Sequence, residues 1–222
     1  MANLLQVVKS VHFQEIALQT GAVDLSIKDT GDATCTGLAV KAHVTAKATV
    51  PGTSQSQSDT FDLIRIKNKD YWKDSKHTHG LWQPTTEKKL SNYEFGFEIM
   101  SPGVNPLGCY TSLLASSGSG SGGSGQGVQD QLTGLTNTGE TKFNNTDVYD
   151  IHAVDVQLDP TTNQTTDTPI DWYVGVAHAL LYGTLVTFND TANAVQGSVT
   201  QKFSKYGEKF SQTAPKKGSK TP

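Results

Sequence analysis

Arginine is almost missing from this chain. Among 222 residues there is one, Arg65. The guanidinium fork is the usual bidentate grip on phosphate, carboxylate and guanine. A chain with a single copy is poorly equipped for dedicated recognition of nucleotides or base edges. Cysteine is nearly as scarce. Cys35 and Cys109 allow one disulfide or two inert thiols, and they exclude both a dense disulfide framework and a cysteine-built metal site.

Long apolar runs are missing too. No stretch approaches the ~20 apolar residues of a membrane-spanning helix. The opening MANLLQVVKSVHF lacks the apolar core of a signal peptide. The expectation is a protein made in the cytoplasm, with a virion or cytoplasmic location. The sequence contains no G-x-S-x-G elbow, Walker loop, dinucleotide fingerprint or H-E-x-x-H. It therefore predicts no cofactor and no enzyme.

What is present is threonine, 28 residues, and glycine, 21, within 35% apolar content. Threonine, valine and aromatics suit half-buried pleated surfaces. Alternation of apolar and polar residues predicts strands at 4–18, 23–28, 37–50, 61–67, 93–99, 148–158, 172–188 and 195–203. The clearest are Leu38–Val50 and Tyr93–Ile99. Within 175–181 (GVAHALL) one short helix is conceivable, with His178 as a core or interface histidine. Eight to ten strands separated by turn residues predict an all-β, antiparallel protein: a β-sandwich or jelly-roll-like barrel with long loops. Residues 116–127 (SSGSGSGGSGQG) can bury nothing and predict a flexible loop, natural or engineered, inside one domain spanning 1–210.

Charge is uneven. Residues 201–222 hold six lysines against Glu208, which gives that stretch +5 and leaves −8 on the rest of a chain of net charge −3. Residues 211–222 predict a disordered basic tail. Its Lys216, Lys217 and Lys220 could lie along nucleic acid non-specifically or along a partner.

Candidate sites are few. His77 and His79 form a His-x-His pair that, in extended backbone, would point the same way and could hold a metal. No third ligand sits at a characteristic spacing. Tyr71, Trp72 and Trp82 gather in the charged, irregular stretch 68–89, where exposed rings could contact a sugar or a protein partner. The acid pairs Asp155 with Asp159 and Asp167 with Asp171 fit turn chemistry better than catalysis. Together these features predict a non-enzymatic, self-assembling structural protein, such as a phage or viral shell, tube or decoration subunit, forming homo-oligomers. A carbohydrate- or cell-surface-binding β module and a β-pore-forming toxin are the alternatives.

Overall fold

The computed structural model describes residues 9–34, 39–67, 69–86, 129–158, 165–191, 194–210 and 212–222. The described residues hold eleven strands and no helix: β1 (Ser10–Thr20), β2 (Asp24–Thr34), β3 (Ala39–Thr49), β4 (Ser56–Ile66), β5 (Lys69–Asp74), β6 (Gln83–Thr85), β7 (Gln129–Phe143), β8 (Thr146–Leu158), β9 (Thr165–Gly175), β10 (Leu181–Asp190) and β11 (Val195–Ser204). All lie in one unclosed antiparallel sheet, ordered β6-β5-β4-β3-β2-β1-β11-β10-β9-β8-β7. The all-β antiparallel class expected from alternation is therefore what the chain adopts. Both halves of the chain are meanders. They join where β1 pairs with β11.

Partners across an antiparallel ladder share a face, so the registers define rows. One row runs Phe203, Phe13, Gly31, Ala42, Leu63, Trp72 across six strands. Every member is buried. Two rings stand at one end, a ring at the other, and small residues lie between them. Gly31 is required there. A Cβ would lie 2.1 Å from the Lys41 carbonyl oxygen and 2.9 Å from Phe13 Cζ. Val11, Ala33 and Val40 form the next row along the strands, at 0–1% exposure. This apolar face is the core, and each large side chain buried on it contributes about 1.5–3 kcal/mol.

The opposite face carries mostly Lys, His, Asp and Thr. Its aspartates meet histidines directly across the ladder. His12 Nδ1 lies 2.9 Å from Asp32, His43 Nδ1 2.7 Å from Asp62, and His152 Nδ1 2.7 Å from Asp171. Each pair is in direct register.

The two sheet edges differ. β6 has three residues, one of them Pro84. β7 has fifteen, with register shifts between Thr133 and Thr136 and between Asn137 and Gly139. Gly134 and Gly139 take φ of 66° and 120° there. Bulges of this kind twist an edge away from further pairing.

Several expectations change. Within 68–89, read as a surface excursion, β5 and β6 extend the sheet. Arg65 grips Asp70 with two bonds, Nε to Oδ1 at 2.6 Å and a terminal nitrogen to Oδ2 at 3.0 Å. β7 has no apolar alternation to announce it. Residues 176–178 form a turn rather than a helix, and His178 is exposed. The tail expected to be disordered is held at its end. Trp82 N donates to the Ser219 carbonyl at 2.9 Å and Gly218 N to the Trp82 carbonyl at 2.8 Å. Gly207 N donates to the Ser10 carbonyl at 2.9 Å, and Ser10 Oγ donates to the Glu208 carbonyl. The strand expected at 93–99, the Gly/Ser stretch 116–127, Cys35 and Cys109 lie outside the described residues.

Candidate functional site

Across its central strands the apolar face is interrupted by a polar row. Thr184 on β10 partners Gln201 on β11, Gln201 partners Glu15 on β1, and Glu15 partners Asp29 on β2. Each occupies a position where its strand's alternation calls for an apolar residue: Val199-Gln201-Phe203, Phe13-Glu15-Ala17 and Ile27-Asp29-Gly31. The row continues into apolar residues on both sides, to Trp172 past Thr184 and to Val44 and Phe61 past Asp29.

The hydrogen bonds along this row run one way. Thr184 Oγ1 donates to Gln201 Oε1 at 3.1 Å, and Gln201 Nε2 donates to Glu15 Oε2 at 2.6 Å. Thr184 is 1% and Asp29 5% exposed. Asp29 Oδ1 is buried without a hydrogen-bond partner. A buried polar atom left in that state costs about 1–3 kcal/mol, so it calls for an explanation. Burial, and then the neighbouring Glu15 charge, push the Asp29 carboxyl up to about 8, against a hydrogen bond from the Glu15 backbone. Burial raises Glu15 too, against the hydrogen bond from Gln201. Both groups resist ionisation.

Beside the polar row runs an apolar one that is only half-buried. Ile27, Ala17, Val199, Val186 and Ile170 are partners in turn on five adjacent strands, and all five are partly exposed. At ~4.8 Å between strands this row spans about 19 Å.

The residues singled out in the sequence fall elsewhere. Trp72 and Trp82 are 6% and 2% exposed. Trp72 belongs to the core row and stacks on His77, with ring centroids 5.7 Å apart. Trp82 has Lys73 Nζ 5.0 Å from its ring centroid and a buried Nε1 without a partner. Tyr71 is half-buried on the opposite face. The ring faces a sugar would stack on are thus packed away at both tryptophans. His79 takes no part in the metal-like grouping that does occur, where ligand atoms of Asp59, Asp74 and His77 lie within 4.8 Å of one another. Turn bonds account for that grouping. Asp74 Oδ1 accepts from His77 N at 2.9 Å and Thr78 N at 2.7 Å, Oδ2 accepts from His77 Nδ1 at 2.5 Å, and Lys76 Nζ lies 3.3 Å from Asp59. Burial raises Asp74, but these bonds outweigh it and hold the carboxyl below the usual range. Lys216, Lys217 and Lys220 are exposed. The strand expected at 37–50 is largely β3, paired on both sides.

Glu15, Asp29 and Gln201 escaped the reading of the sequence. Their signal was available: three polar residues in the apolar phase of three strands.

No family model matches the chain, and no curated protein does. Among solved structures it is similar to the lipoprotein LppX of Mycobacterium tuberculosis, at 12% identity and TM-score 0.48, over 95% of this chain and 92% of that one. It is also similar to a DUF1329 family protein from Desulfovibrio piger, at 9% identity and TM-score 0.28, over 95% and 91%. Neither is named as a shell, tube or decoration subunit, a sugar-binding module or a pore. The expected structural role, its two alternatives and the virion or cytoplasmic location are corrected accordingly.

Proposed function

We propose that the apolar face of the sheet binds an elongated apolar molecule that carries one polar end, and that the protein performs no chemistry on it. The observation that carries this reading is the pairing of rows. A half-buried apolar track, Ile27 to Ile170, lies against a buried polar row that ends in an unpartnered oxygen. Apolar surface left partly in water gains about 25 cal/mol for each Å² that a ligand covers. The polar row gives such a ligand an orientation, as the few polar groups of an apolar site commonly do.

The absence of catalysis is argued from the acids themselves. An acid–base pair is recognised by environments that push two groups apart in pKa. Here both carboxyls are pushed the same way, upward, rather than apart.

Native mass spectrometry with a long-chain alcohol tests the reading. The expected result is one bound molecule per chain, lost in Val199→Asp while circular dichroism stays that of a β protein. Absence of any adduct in the wild-type protein sinks it. A second copy of this chain, and nucleic acid at Lys216, Lys217 and Lys220, are separate proposals about partners. Solution mass with and without duplex DNA tests both.

A further inference from the structure

We propose that the polar end of the ligand is a primary ammonium, seated on Asp29 and Glu15. This rests on the binding reading above and adds the chemistry of the head group.

The direction of the hydrogen bonds is the first ground. Along the row Thr184 donates to Gln201, and one of the two Gln201 N–H groups donates to Glu15. Past Glu15 stands Asp29, whose Oδ1 is buried and unpartnered. Asp29 is 95% removed from solvent by its 5% exposure, so water does not readily supply the missing donor. A ligand that donates here satisfies that oxygen.

The charges around the row are the second ground. On one side the flanking row carries Phe203, Phe13, Gly31 and Ala42. On the other it carries Val199, Ala17, Ile27 and Ala46. Beyond Asp29 stand Val44 and Phe61, and then Asp74, whose oxygens are taken by His77 and Thr78. Among the described residues of these rows there is no lysine, arginine or histidine. A buried carboxyl without a counter-charge keeps its proton, and among the described residues of these rows none stands beside this pair. An ammonium brings three donors and the charge together. A carboxylate or phosphate head would bring a further negative charge beside two acids and no donor for Asp29 Oδ1.

Binding is then tied to a proton. Asp29 holds its proton up to about 8, so an ammonium arriving near neutral pH displaces it into the buffer. A hydroxyl head binds without that release.

The test uses the full chain with a long-chain primary amine, alcohol and carboxylic acid of equal chain length, each below its micelle-forming concentration. Titration calorimetry in two buffers of different ionisation heat reads affinity and proton release together. The amine should bind about ten to a hundred times tighter than the acid, the gain of a charge-assisted bond. Only the amine should release a proton. In Asp29→Asn the amine's advantage and its proton release should both vanish while the alcohol still binds. Glu15→Gln, read the same way, should cut the advantage by a smaller factor. Equal affinity for all three heads, or a preference for the acid, overturns the ammonium assignment and leaves the binding face standing. No binding of any of the three removes both.

Discussion

The polar face of this sheet and the Asp29 row on the other face treat the same residue in opposite ways. On the polar face each of Asp32, Asp62 and Asp171 sits across the ladder from a histidine, and Asp62 has Lys73 at 3.1 Å as well. Burial lifts Asp62, but the bonds from His43 and Lys73 prevail and keep it ionised below the usual range. On the apolar face Asp29 has an acid for a neighbour and no cation, and its carboxyl rises. Geometry does not separate the two cases, since both are cross-strand pairs in register. Company does. Asp70 and Asp74, on the apolar side by register, still have Arg65 and His77; among the described residues Glu15 and Asp29 stand without a cation, Asp29 just past a one-way chain of donors.

The largest effect that can break this contrast is in pH. For Asp29 the folded value lies above the unfolded one, so its share of stability is complete below about pH 4 and is lost as pH climbs through about 8. That range corresponds to about 5 kcal/mol across some four pH units. Asp29→Asn should flatten the profile over that window, as chemical denaturation at several pH values will show. A variant with an unchanged slope contradicts the assignment.

Gly31→Ala comes next. It lies beside the polar row, on the same face, and its methyl would collide with the Lys41 carbonyl. A loss of about 3 kcal/mol is expected in urea unfolding.

Asp62→Asn probes the polar face. The folded value there lies below the unfolded one, so its stability is present above about pH 4 and lost as pH falls. Its side chain is 34% exposed, and a cost of about 1 kcal/mol at neutral pH is expected, vanishing once the carboxyl is protonated in acid. The slopes of the Asp29 and Asp62 variants must therefore differ in sign. The smallest effect belongs to the sheet edge, where Lys142 and Asp147 pair at 2.7 Å with side chains 68% and 69% exposed. Lys142→Ala should move thermal stability by less than about 0.5 kcal/mol.

Much of the fold was legible along individual strands. In β3, Val40, Ala42, Val44 and Ala46 alternate with Lys41, His43, Thr45 and Lys47, and the first set is buried. Legibility failed where a strand lacks two different sides. β7 is an edge whose Leu135 is 52% exposed, and β5 hides Asp70 and Asp74 among partners supplied by Arg65 and a turn. The tryptophans misled for a related reason. Trp72 and Trp82 stand among charges in sequence, yet their neighbours' charges point away or pair locally. The site itself needed the sheet order. Glu15 and Gln201 are far apart in the chain, and nothing in either segment announces that β1 lies beside β11.

Calorimetry of a long-chain alcohol binding to the wild-type chain, repeated over a range of temperatures, tests the binding face most directly. Covering the track from Ile27 to Ile170 should give one site per chain and a negative heat-capacity change, both lost in Val199→Asp. A heat-capacity change near zero, or binding that Val199→Asp leaves intact, would contradict the account.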